Sequence, residues 1–156
     1  MNMDIQNMAT YRSDMRNFRY DALLHVHHPS TSPDEITAKL CREPDRSHCK
    51  GESKKTPVGA RLAGTYRGNF WACDLKTEDQ VDITDFLKNL MVTFLPHRPF
   101  LKQLSATGGE VCIFHGIFGD GCCAHQLDSQ LLTDLANTGF DLRLDFYGTE
   151  STQVDA

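Results

Sequence analysis

The stretch covering residues 18–28, FRYDALLHVHH, constrains the possible folds of this chain more than any other. Phe18, Tyr20, Ala22, Leu24 and Val26 alternate with Arg19, Asp21, Leu23, His25 and His27. A two-residue period matches the pleat of a β-strand, which sends successive side chains to opposite faces. One face is apolar and needs cover, while the other is polar enough to meet water. The strand predicts a sheet packed on one side, and Pro29 ends it.

Helical patterning follows at once. In STSPDEITAKLC, the Ser32 hydroxyl can accept a free amide of the first turn, Pro33 suits the first helical position, and Glu35 completes a capping box. Ile36 and Leu40 lie four apart and supply a buried edge. Pro44 stops the helix. Residues 42–60 form a polar loop with room for one short extended piece. RLAGTYRGNFWACDL predicts a hairpin turning near Arg67-Gly68-Asn69, with Trp71, Cys73 and Leu75 on one face.

The strongest helix is DITDFLKNLMVTFL, where Ile83, Phe86, Leu87, Leu90, Phe94 and Leu95 make a wide apolar stripe ended by Pro96. RPFLKQL adds a short helical turn. GEVCIFHGIFG is apolar on both faces and predicts a central strand. Asp120-Gly121 then turns into CCAHQL as an antiparallel neighbour. Asp128 or Ser129 caps a further helix, SQLLTDLANTG, which Gly139 closes in the left-handed conformation. In FDLRLDFYG, Leu142, Leu144 and Phe146 alternate with Asp141, Arg143, Asp145 and Tyr147, a last half-buried strand.

This order predicts an α+β fold: a single domain with a largely antiparallel sheet of about six strands and two to three helices packed on it. Residues 1–16 show no period and are expected to form a loose arm. Residues 17–148 form the domain, and 149–156 a tail. The length of 156 residues suits one core that buries about two-thirds of the unfolded surface.

Composition narrows the function classes. A formal net charge of −5 argues against a nucleic-acid binder, which needs a concentrated basic surface. The nearest basic stretch, GESKKTPVGAR, is diluted by Glu52. An acidic surface suits a basic protein partner. The opening residues lack the apolar run of a secretory signal, and no later run is long enough to span a bilayer, so a cytoplasmic setting is expected. In that setting the cysteines at 41, 49, 73, 112, 122 and 123 are reduced thiols.

His25 and His27 share a strand face and are close enough to share a metal such as zinc. Further ligands would come from His48 and Cys49, or from Cys122, Cys123 and His125. No C-x-x-C occurs, and CCAH is too tight for its donors to converge from one strand. The polar-face reading of the pair is therefore preferred, with no third ligand facing it.

Cys122 or Cys123 near His115 or His125 is the better thiolate candidate, whereas Cys112 is expected to be an inert buried thiol. His115 lies on an apolar face as a hydrogen-bonded core group. Asp141 and Asp145 flank Arg143 in a cross-strand charge ladder. Phosphate-loop and dinucleotide spacings are absent. These residues assign no catalytic group and no cofactor. Metal candidates are His25, His27, Cys122 and His125; partner-binding candidates are His25, His27, Arg143 and Asp145.

The ordered landmarks HHP, EITAKL, Pro44, KGE, NFWACDL and LRLDFYG resemble those of a bacterial domain-of-unknown-function family, number 4279, over residues 18–148. The resemblance implies a small α+β domain and no particular activity; by analogy, some such domains serve as immunity partners of toxins.

Two functional readings result. The first is a non-catalytic protein-binding module using its polar sheet face, with neutralisation of a basic toxin as its sharpest form. The second is a small metal-binding protein or enzyme built on the His25/His27 and Cys122/Cys123/His125 clusters. The missing catalytic motif, the small domain and the acidic balance favour the first.

Overall fold

The computed structural model describes residues 18–76, 82–120 and 124–148. Strand β1 (Arg19–His28) buries Tyr20, Ala22, Leu24, Val26 and His28, and turns Arg19, Asp21, Leu23, His25 and His27 the other way. Helix α1 (Pro33–Leu40) follows, then the short strands β2 (Arg46–His48) and β3 (Ser53–Lys55), β4 (Arg61–Thr65) and β5 (Asn69–Leu75). Next come α2 (Ile83–Phe94), a 3-10 turn (Leu95–His97), α3 (Arg98–Ala106), β6 (Glu110–Phe118), α4 (Ser129–Thr138) and β7 (Asp141–Tyr147).

Five strands form one sheet in the order β2-β5-β1-β6-β7, with β1 at its centre. Its pairings are antiparallel except β6 with β7, which run parallel. A parallel neighbour cannot be reached by a tight turn, so the chain crosses over through α4. The fold is α+β and mostly antiparallel, as the sequence predicts. The described strands number seven rather than about six, because β3 and β4 pair separately as an exposed two-stranded ribbon.

Local chemistry sets the helix ends. Ser32 Oγ accepts the Glu35 amide at 3.2 Å, and Asp82 and Asp128 accept the amides of Thr84 and Leu131 at 2.7 and 2.8 Å. Gly139 ends α4 at φ 84°, where a side chain would be strained. The core forms where Leu24, Val26, Trp71 and Ile113 of the sheet meet Ile36, Ile83, Leu87, Leu101, Leu104 and Leu131 of the helices. Each such side chain contributes about 1.5–3 kcal/mol on burial. Trp71 keeps its indole N–H satisfied by donating to Thr37 Oγ1 at 3.0 Å. Among the described residues, no helix is long and apolar enough to cross a membrane.

Four expectations change. The stretch at 61–75 is not a hairpin: β4 pairs with β3, while β5 inserts between β1 and β2. The reason is burial, since β5 has Trp71, Ala72 and Cys73 to hide and β4 is exposed throughout. Residues 124–128 form no strand, and the place beside β6 belongs to β7. RPFLKQL lies within the nine-residue helix α3 rather than a single turn. Leu95 and Phe146, placed on apolar faces by pattern, are 59% and 60% exposed. Leu95 lies past the end of α2, and Phe146 sits near the end of an edge strand.

Candidate functional site on the open sheet face

The helices pack on the sheet face that carries Leu24, Trp71 and Ile113. Among the described residues, no helix covers the other face. Strand register arranges that face in rows. One row runs His48, Phe70, His27, Glu110. The next runs Arg46, Ala72, His25, Cys112, Asp141, followed by Asp74, Leu23, Phe114, Arg143. Asp21, Gly116 and Asp145 form a fourth row, and Arg19, Phe118 and Tyr147 a fifth.

Aromatic rings line one end. His48 stacks on Tyr66 at 3.5 Å between centroids and on Phe70 at 5.2 Å, and Phe70 meets His27 at 4.7 Å. His27 in turn lies edge-on to His25 at 5.5 Å. At the other end, Arg19 sits 4.3 Å over the Phe118 ring, which stacks on Tyr147 at 4.6 Å. A groove of about 560 Å³ opens beside Leu23 and Phe114, with Asp21, Arg46, Asp74 and Lys76 in its wall.

Arg143 donates through Nε and an NH2 group to both Asp145 oxygens, each at 3.0 Å. These hydrogen bonds hold the Asp145 carboxyl below its ordinary range. The expected cross-strand ladder is thus replaced by a pairing along β7 itself, and Arg143 also lies 5.6 Å over the Phe114 ring. Exposed pairs of this kind contribute little to stability, but they order the side chains of the face.

His25 is half-buried, and its Nε2 is screened from solvent with no hydrogen-bond partner among the described residues. Burial, then the neighbouring His27, lower its pKa and favour the neutral imidazole. A ring nitrogen of His25, a Glu110 carboxylate oxygen and Cys112 Sγ lie within 4.8 Å of one another. Burial and the Glu110 charge raise the Cys112 pKa. Sequence reasoning named neither Glu110 nor Cys112 as a companion of His25. The available signal was weak: both alternate on β6, and only the register with β1 brings them to that histidine.

The other predicted site residues are dispersed. His27 is exposed and outside this triad. His125 packs edge-on to Tyr20 at 6.0 Å, on the helix-covered side, and does not meet His25 or His27. Cys122 and Cys123 lie outside the described residues. His48 joins the aromatic row, with exposed Cys49 beside it in sequence.

Two buried histidines carry structure. His28 is hydrogen-bonded to Thr107, Ser30 and Thr31. His115 is 1% exposed, stacks on Tyr20 at 5.5 Å and has no partner for either ring nitrogen among the described residues, contrary to the hydrogen-bonded core role expected for it. Burial pushes its pKa down to about 4.

A family model described as "Domain of unknown function (DUF4279)" matches residues 17–149. Neither the curated proteins nor the solved structures contain a match to this chain.

Proposed function

Because this chain belongs to the DUF4279 family, whose description assigns no activity, we propose its role from the uncovered sheet face: a non-catalytic module that binds a basic protein partner there. The observation that carries this reading is the make-up of that face. Phe70, Phe114, Phe118 and Tyr147 offer ring surfaces on a rigid sheet, where little side-chain entropy is lost on binding. Asp21, Asp74, Glu110, Asp141 and Asp145 outnumber Arg19, Arg46, Lys76 and Arg143, and two of those cations, Arg19 and Arg143, are tied to Asp21 and Asp145. The resulting acidic excess, in line with the net charge of −5, would steer a basic surface toward the rings.

In the sharpest form of this reading the partner is a toxin with a basic surface, neutralised by occlusion in the cytoplasm of a bacterial cell. His25, His27, Arg143 and Asp145 then line the contact area.

Co-expression of the full chain with the product of the adjacent gene tests the proposal. The expected result is a stable complex that weakens as salt rises and loses affinity by about tenfold or more on Phe114→Ala or Asp74→Lys. Lys54→Glu, on the ribbon strand β3, should leave affinity within about twofold, as surface changes outside a contact do. A complex indifferent to Phe114 and Asp74, or no complex at all, overturns it.

A further inference from the structure

We propose that His25, Glu110 and Cys112 form a binding site for a divalent transition ion of the zinc class on the open face of the sheet. The β1–β6 register builds it: His25 pairs with Cys112, and Glu110 lies on the neighbouring rung opposite His27. Three donors from two hydrogen-bonded strands therefore converge within 4.8 Å. One imidazole nitrogen, one carboxylate oxygen and one thiol sulphur form a mixed set that suits zinc-class ions. Calcium and magnesium prefer all-oxygen surroundings.

The geometry is open but close to what such an ion needs. Bonds of about 2.0–2.3 Å in a tetrahedron place donors about 3.3–3.8 Å apart, so the triad must close by about 1 Å. Strand pairing holds the backbones of His25 and Cys112, while the Glu110 side chain is exposed and can swing inward. His25 Nε2, screened and without a partner among the described residues, is a polar group that a ligand would satisfy. The neutral imidazole favoured by its burial is the form that ligates. On binding, Cys112 gives its proton to solvent and coordinates as the thiolate.

A fourth position remains for water or for His27, whose ring centroid lies 5.5 Å from that of His25. The Arg143 charge approaches from β7 and opposes a cation. Its bidentate pairing with Asp145 partly neutralises it, and Asp141 sits on the Cys112 rung as a counter-charge. The inference does not rest on the protein-binding reading, since the ion would be held with or without a partner.

The test uses the full chain, purified metal-free under a non-chelating reductant and titrated with Zn²⁺ by calorimetry and with Co²⁺ as an optical probe. The expected result is one ion per chain and a thiolate-to-cobalt charge-transfer band. Cys112→Ser should abolish that band, and His25→Ala and Glu110→Gln should each weaken Zn²⁺ binding by about tenfold or more. Circular dichroism establishes that each variant is folded. Glu110→Gln, at an exposed position, keeps the test decisive if Cys112→Ser does not fold. Absence of Zn²⁺ uptake overturns the proposal. So does uptake that survives unchanged in Cys112→Ser and His25→Ala, or in Glu110→Gln, which would put the ion on other side chains.

Discussion

His28 Nε2 and Thr107 Oγ1 lie 2.9 Å apart and tie the end of β1 to the end of α3. The His28 Nδ1 accepts the amides of Ser30 and Thr31 at 3.1 and 2.8 Å, so the ring proton sits on Nε2 and is donated to Thr107. Thr107 in turn donates to the Gln103 carbonyl at 2.8 Å. One buried imidazole thereby satisfies the amides of the turn after β1.

Replacing that ring should be costly. His28→Ala strands two amides and leaves a void, with an expected loss of about 2–4 kcal/mol. Thr107→Val removes the acceptor of the His28 N–H and the donation to the Gln103 carbonyl, and should cost about 1–3 kcal/mol. Urea unfolding followed through Trp71, the single tryptophan of the chain, measures both. Equal midpoints for wild type and His28→Ala would show that the ring is dispensable.

The same ring makes a specific glycine necessary. A Cβ on Gly109 would lie 2.5 Å from His28 Cδ2 and 2.8 Å from the Leu104 carbonyl oxygen. The imidazole is pinned and the carbonyl is backbone, so neither yields cheaply. Gly109→Ala is expected to lose about 1–3 kcal/mol. At Gly68 a Cβ would meet only the His28 carbonyl oxygen, at 3.5 Å, so Gly68→Ala should change stability by less than about 1 kcal/mol. Thermal melts of the two variants side by side give the comparison.

His115 should make the fold acid-sensitive. Its imidazole ordinarily titrates at 6.5 but is pushed down to about 4 in the folded protein. As pH falls below 6.5, the unfolded chain binds a proton that the folded one refuses, so stability drops until about pH 4 and then levels off. The full effect is at most about 3 kcal/mol. The groups around it are the rings of Tyr20 and Phe86, His125, whose charge reinforces the shift, and Asp21, which opposes it. His115→Phe should remove this component. Denaturation curves between about pH 4 and 7, with parallel slopes for variant and wild type, would rule it out.

The Trp71 indole offers a further check. Thr37→Val deprives a fully buried N–H of its acceptor and should cost about 1–3 kcal/mol. A shift in Trp71 emission should accompany the loss, because the ring is 0% exposed and reports only on its immediate surroundings.

Thiol labelling followed by peptide mapping should separate the described cysteines. Cys41 and Cys49 are exposed and should react in the native state. Cys73 is buried, with a pKa raised to about 11 mainly by that burial, and should react only as the chain unfolds.

The amino-acid sequence alone was enough to determine β1 and its two faces, the cap at Ser32, the left-handed stop at Gly139, and the α+β class, and it narrowed the cap of the last helix to Asp128 or Ser129. Each of these depends on residues a few positions apart, whose periodicity and hydrogen-bonding capacity are local properties. The tertiary structure decided the rest. It separated β4 from β5, set β7 parallel to β6, and brought Glu110 and Cys112 to His25 while leaving His125 on the other side. A two-residue period tells which face a side chain occupies but not which rung it shares, because rungs are set when whole strands align to bury their apolar faces together.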